Sequence, residues 1–246
     1  MIYERLKQVV EREERAALFT VVEGEPFGAK LLVLEGGEVV GDAPAELAES
    51  AAELIRGGRN QLLELPWGRV FCEIYQPAPR LLVFGAVDTA EEVCRAAKLL
   101  GWRTVVADAR GKFATEERMP HADEILVAWP EEALARVAPD HQTAVLVLTH
   151  DDKFDVPALS GALRTEAFYI GALGSRRNQE RRRARLLEAG VGEDELARIS
   201  GPCGLDIGAQ TPSETALSVL AEILAVRAGR SGGTLREAKG RIHAEV

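Results

Sequence analysis

Two patterns in the sequence place this chain in the α/β class. From Arg80 onward, short runs of Leu, Val and Ile alternate with helix-like segments, and those runs show no in–out alternation. That is the signature of strands buried on both faces of a parallel sheet. Before Pro77-Ala78-Pro79, alternating strands, a Gly-Gly hairpin signal and amphipathic helices describe a smaller α+β unit instead. The expected organisation is therefore an N-terminal α+β domain over 1–76 and a parallel-sheet domain over 80–246, joined by a stiff proline linker.

The first block opens with an amphipathic helix, since Ile2, Leu6, Val9 and Val10 recur at helical spacing among charges. Leu18 to Val22 and Ala29 to Leu34 read as strands. Gly36-Gly37 supplies the positive φ of a tight hairpin back to Glu38 to Val40. Pro44 starts a helix through Ile55 that stops at Gly57-Gly58. Gln61 to Leu65 and Arg69 to Tyr75 follow as strands, the second placing Val70, Cys72 and Ile74 on one face. In the second block the expected strands are Leu81 to Phe84, Thr104 to Ala107, Ile125 to Ala128, Ala144 to Leu148 and Phe168 to Ile170. Helices are expected at Thr89 to Leu100, Glu131 to Val137, Pro157 to Arg164, from Arg176, and from Thr211-Pro212-Ser213-Glu214. That last string combines a capping box with proline at the first helical position, a structural signal.

Composition narrows the function. With 246 residues, 46% hydrophobic and 28% charged, the chain has the make-up of an ordinary globular protein. A formal charge of −9 repels polyanions, so nucleic acid is not an expected partner. The Met1 to Leu18 segment lacks the apolar core of a signal peptide, and no membrane-length stretch is free of charges, so a cytoplasmic protein without a membrane partner is expected. Three scattered cysteines and four histidines form neither a disulfide framework nor a zinc-ligand pattern. Cys72 and Cys94 fall on apolar faces and read as core.

In a parallel sheet, ligands bind beyond the carboxyl ends of the strands. There lie Gly85 to Asp88, Asp108, Thr149-His150-Asp151 and Gly171 to Arg177. Gly171 and Gly174 let backbone approach a ligand, and Ser175, Arg176 and Arg177 open an arginine-rich helix whose free N–H groups face an anion. Cations at the positive end of a helix dipole are unfavourable unless an anion joins them, so Arg176 and Arg177 mark an anion site. Arg181 to Arg185 read as a solvated face paired with Glu180 and Glu188. Gly85 begins a sequence placed like a dinucleotide fingerprint, with Asp108 at the distance of a ribose-binding acid, but Val87 stands where the pyrophosphate-approaching glycine belongs. An NAD(P)-binding oxidoreductase is thus an alternative with its phosphate loop blocked. His150, flanked by aspartates, is either a ligand-facing imidazole or a hydrogen-bonded loop residue. Gly201 to Gly208 forms a second glycine loop. It carries Asp206, a site candidate, and Cys203, which is either an accessible thiolate capable of holding a metal or a buried thiol.

The strings Leu148-Thr149-His150-Asp151, Phe168 to Arg177, Gly204-Leu205-Asp206-Ile207-Gly208-Ala209 and Thr211-Pro212-Ser213-Glu214, with Gly28-Ala29-Lys30 in the first block, resemble the xanthine dehydrogenase accessory factor family, XdhC/CoxI. The resemblance covers nearly all of 80–227. It implies a Rossmann-like second domain and a non-catalytic, usually oligomeric maturation factor. Such a factor binds the molybdenum cofactor and protects it while a cysteine desulfurase-type sulfurtransferase exchanges oxo for sulfur. It then delivers the cofactor to an apo molybdenum hydroxylase such as xanthine or carbon monoxide dehydrogenase. The resemblance names the ligand, and Gly171, Gly174, Ser175, Arg176, Arg177, His150, Asp206, Gly85 and Asp108, read from the strand ends and loops, are the residues expected to line its site. Two segments depart from the family: Val40 to Pro44 is shorter than the usual glycine-rich segment with its cysteine, and Gly85-Ala86-Val87-Asp88 replaces Gly-Ala-Gly-His. A regulatory interaction module with a decayed site is the remaining alternative.

Overall fold

The computed structural model describes residues 2–149 and 151–239. They form two compact units divided between Pro77 and Ala78, the described residues from Leu235 on grouping with the first unit.

The first unit begins with α1 (Ile2–Glu11). It continues through β1 (Ala16–Gly24), β2 (Lys30–Leu34), β3 (Val39–Gly41), α2 (Leu47–Gly57), β4 (Gln61–Leu65) and β5 (Gly68–Tyr75). The strands make one antiparallel sheet in the order β3-β2-β1-β5-β4. Its central strand alternates strictly. Ala17, Phe19 and Val21 pack with Leu47, Ala51 and Ile55 of α2, while Ala16 and Leu18 pack with Val9 of α1. Each face therefore has its own helix, as the two-residue period of a strand demands. The second helix starts at Leu47 rather than Pro44, because Pro44 to Glu46 form a separate turn closed by the Leu47 N–H on the Pro44 carbonyl. It ends on Gly58 at φ 64°, whose N–H satisfies the Leu54 and Ile55 carbonyls.

The second unit runs β6 (Arg80–Phe84), α3 (Asp88–Leu99), β7 (Arg103–Ala107), β8 (Glu124–Leu126), α4 (Pro130–Val137), β9 (Thr143–Val147) and α5 (Asp152–Leu163). It is completed by β10 (Tyr169–Ala172), α6 (Arg176–Glu188), α7 (Glu193–Leu196), β11 (Ile199–Ser200) and α8 (Pro212–Arg227). All six strands are parallel, in the order β8-β7-β6-β9-β10-β11. Counted within the unit this is 3-2-1-4-5-6, the doubly wound Rossmann order, with its topological switch between β6 and β9. Leu81, Val83, Val106 and Leu146 face α3 and α8, whereas Leu82, Phe84, Val105 and Val147 face α4, α5 and α6. Burial on both faces explains why these strands carry no polar alternation.

Four elements of the second unit differ from the sequence expectation. The edge strand β8 stops at Leu126, leaving Val127 60% exposed beyond the last paired residue. The helix α5 begins five residues before Pro157, because the Asp151 side chain accepts from the Lys153 N–H and caps it there. Both α7 and β11 are too short to carry a periodic signal, and β11 exists only through its pairing with Ile170 and Gly171.

Candidate functional site

At the switch point the two strand ends approach until only glycine fits. Gly85, at φ +105°, would place a Cβ 2.6 Å from Thr149 Cγ2, so this glycine serves the contact between the β6 and β9 loops. Asp108, at the end of β7, accepts hydrogen bonds from the Ala86 N–H (3.0 Å) and the Arg110 N–H (2.9 Å). Arg110 also forks onto it, Nε at 2.9 Å and Nη2 at 2.8 Å. Burial opposes ionisation of this carboxyl, but the Arg110 and Ala86 donors outweigh it and hold it below the usual carboxylate range. The crevice that remains, lined by Gly85, Asp108, Thr149, Pro130 and Phe154, has a volume of about 10 Å³. That is room for about one water and no nucleotide.

The Thr149-His150-Asp151 motif has a buried partner set that the sequence reading missed. The Thr149 hydroxyl donates to Asp155 on α5, which is 2% exposed. Asp155 in turn takes Arg182 Nη2 at 2.6 Å and Nε at 3.2 Å. Arg182 also donates to Gln179 Oε1 (2.6 Å) and the Leu173 carbonyl (3.2 Å), and Gln179 Nε2 reaches the Ala172 carbonyl at 3.0 Å. This chain of bonds ties the end of β9 to the turn after β10. It corrects the reading of Arg181 to Arg185 as solvated: Arg182 is 4% exposed and enters the interior. Its neighbours pair with Asp152 and Glu193 rather than with Glu180 and Glu188, because those acids stand on the elements packed against α6. Position alone could have revealed Arg182, since it stands four residues before Leu186, the other buried residue of α6. His150 lies outside the described residues.

The β10–α6 turn divides into packing and exposed parts. Gly171 is buried within β10, where a Cβ would lie 2.6 Å from the Tyr169 ring and 2.8 Å from Leu146. Its smallness serves the core, not a ligand cradle. Gly174 takes φ +133° and turns the chain outward. Ser175 caps α6 by accepting the Asn178 N–H at 3.3 Å. Arg176 and Arg177 are exposed and have no ion-pair partner among the described residues. Beside them opens a groove of about 610 Å³ lined by Arg176, Gln179, Arg183, Leu186, Leu196 and Ile199.

The second glycine loop is fastened to the first. Cys203 N–H donates to the Ala172 carbonyl at 3.1 Å, and Gly201 packs where a Cβ would strike Gln179. Glu222 of α8 accepts from the Tyr169 hydroxyl (2.5 Å) and the Gly204 N–H (2.6 Å), so one carboxylate joins α8, β10 and the loop. Burial, with the nearby Glu222 charge, pushes the Cys203 thiol up to about 12. It is therefore a protonated interior thiol near neutral pH rather than an accessible thiolate. Asp206 is exposed on the outer part of this loop. Among the described residues no cluster of three His, Cys, Asp or Glu side chains could hold a metal. No described helix is long and apolar enough to cross a membrane.

The strand order, the glycine loop after β6 and the acid closing β7 define the second unit as a Rossmann domain whose nucleotide crevice is filled by its own side chains. The XdhC Rossmann domain model matches residues 81–223, and the chain belongs to that family. An uncharacterized protein, YqeB of Escherichia coli K12, is 34% identical over 169 residues, 68% of this chain and 30% of YqeB. A Bacillus subtilis protein named as a probable subunit of xanthine dehydrogenase is 33% identical over 64% of this chain and 46% of its own length. The molybdenum cofactor insertion chaperone PaoD of Escherichia coli K12 is 31% identical over 62% of this chain and 42% of its own. These alignments span less than half of each curated relative. Among solved structures, a xanthine dehydrogenase from Bacillus halodurans superposes with TM-score 0.71 at 27% identity, covering 92% of this chain and 66% of that one.

Proposed function

We propose that this chain is a maturation factor that binds the molybdenum cofactor and delivers it to an apo molybdenum hydroxylase of the xanthine or carbon monoxide dehydrogenase type. In this reading it acts as a carrier rather than a catalyst, with a sulfurtransferase as its second partner. The observation that carries it is the pair of exposed arginines Arg176 and Arg177, without an ion-pair partner among the described residues, at the start of a 13-residue helix. Two cations at the positive end of a helix dipole repel it and each other until a multiply charged anion arrives. The phosphate of a pterin cofactor is such an anion, and the adjoining groove is within the size range of small-molecule sites.

The residues fit the group in kind. Arg176, Arg177 and the first N–H groups of α6 would hold its phosphate, and the exposed Asp206 offers a further hydrogen-bond acceptor. When bound, the cofactor supplies the dithiolene-held molybdenum that the client enzyme will use. The chain's own part is to bind, orient and shield. An NAD(P)-dependent reading would need Arg110 and Phe154 to leave the switch-point crevice.

The test is retention. Purified chain is incubated with released molybdenum cofactor and desalted, and bound molybdenum and pterin are quantified. The intact chain should retain both, and the Arg176→Ala/Arg177→Ala variant should lose at least about tenfold in affinity, since each charge-assisted hydrogen bond contributes about 1.5–3 kcal/mol. A chain that retains no cofactor but binds NADPH saturably would overturn the proposal.

A further inference from the structure

The switch-point crevice is stoppered by a stack of side chains whose chemistry points to what could replace one of them. Trp129, 52% exposed, lies against Phe154 with ring centroids 4.8 Å apart. The Arg110 guanidinium carbon lies 5.6 Å from the Phe154 centroid and 4.6 Å from that of Phe113. From this slot the guanidinium presents two parallel donors to the two oxygens of Asp108, at 2.9 and 2.8 Å. Asp108 is itself buried, its side chain 2% exposed and anchored by the Ala86 N–H. A fixed buried carboxylate read by a flat pair of N–H donors among aromatic rings is a receptor for a donor–donor edge.

Arg110 shares its surroundings with other cations. Lys112 Nζ and the Arg118 guanidinium lie 4.9 and 5.2 Å from the same Phe113 ring, so three cations gather around it. The Arg110 side chain is 38% exposed and rises from the irregular segment between β7 and β8, so it can swing out without unfolding a helix or strand. The crevice beside Asp108 has only about 10 Å³, and the guanidinium already takes both carboxylate oxygens, so a ring that uses the same two acceptors must displace it.

We propose that Arg110 is a displaceable stopper and that the Asp108 slot binds the 2-amino-4-oxopyrimidine edge of a pterin. The ring N3–H and the exocyclic 2-amino group of that edge offer a carboxylate the same two parallel donors as a guanidinium. Phe113 and Phe154 supply faces for the ring, as they now do for Arg110, with Trp129 stacked on Phe154. The inference rests on the cofactor-carrier reading and deepens it, since it assigns the ring end of the ligand to Asp108 and leaves the phosphate end to Arg176 and Arg177.

The ring alone is the probe. The intrinsic fluorescence of 6-carboxypterin is titrated with the full chain, with Arg110→Ala and with Asp108→Asn/Arg110→Ala, and 6-carboxylumazine, which carries oxygen in place of the 2-amino group, is the control. Emptying the slot should tighten pterin binding at least about tenfold over the wild type, and the added Asp108 change should remove that gain. The lumazine should bind the Arg110→Ala chain at least about tenfold more weakly than the pterin, because it lacks one donor. If circular dichroism shows that Arg110→Ala does not fold, Arg110→Met, which keeps the packing of the stem, carries the same expectation. Pterin binding that is no tighter without Arg110, or indifferent to Asp108→Asn, overturns the proposal. Cofactor retention by the wild type without pterin binding in the variant would sink the slot alone. Pterin binding in the variant without retention by the wild type would sink the carrier reading and leave the slot.

Discussion

Replacing Arg182 by alanine is the most severe single test of how the candidate site is held. Its side chain is 5% exposed and that of Asp155 3%, so among the described residues the substitution leaves a buried carboxylate with only the Thr149 hydroxyl to compensate it. It also removes the donor from the Leu173 carbonyl and from Gln179. Breaking a buried ion pair by deleting one partner costs about 3–5 kcal/mol. At roughly 2–4 °C per kcal/mol for a unit of this size, the melting temperature should fall by roughly 6–20 °C. Urea titration should follow tryptophan fluorescence in a Trp67→Phe background, so that Trp102 and Trp129 report the second unit. Deleting both charges, in Asp155→Ala/Arg182→Ala, should cost less than the sum of the single changes. An Arg182→Ala chain within about 1 kcal/mol of the wild type would refute the assignment of this network as the tie between the β9 and β10 loops.

Three further outcomes follow from the same geometry. Gly171→Ala forces a methyl against Tyr169 and Leu146, and denaturant melts should show a loss of about 1–3 kcal/mol, the overpacking cost. Thr211→Ala removes the hydroxyl that accepts the Glu214 N–H at 3.2 Å and should cost about 1 kcal/mol by the same assay. Burial raises the Cys72, Cys94 and Cys203 thiols from 9.0 to about 12, so the native state keeps protons there that the unfolded chain releases. Stability measured against pH should be level for these groups below about 9 and fall between about 9 and 12, and native-state alkylation of all three should be slow at pH 8.

How far the sequence could be read depended on whether a residue's role was local. The strand Leu81 to Phe84 and the box Thr211 to Glu214 declare themselves within five residues, and both stand where expected. Asp108 was legible as a site candidate because the end of the second strand is a fixed place in a doubly wound sheet. Arg110, two residues later, was not, since its partners Phe113 and Phe154 come from different segments. Arg182 was hidden inside a run of five charged residues out of six. Its four-residue spacing from Leu186 was the one signal that it turns inward, against the packed α5. Gly171 looked like a ligand-facing glycine because sequence cannot separate a glycine that admits a ligand from one that admits a neighbouring tyrosine. Glu222 was missed for the converse reason: on a helix apolar nearly all round, one acid reads as solvent-facing, yet it binds Tyr169 and Gly204.

The claim that this chain carries a pterin cofactor is met most directly by mass spectrometry of the small molecules released from the protein purified out of its native host. The account predicts a pterin phosphate, or its oxidised derivative, close to stoichiometric with the chain and accompanied by molybdenum. Recovery of a nicotinamide dinucleotide in its place, or of no small molecule from a preparation that still binds its client enzyme, would contradict it.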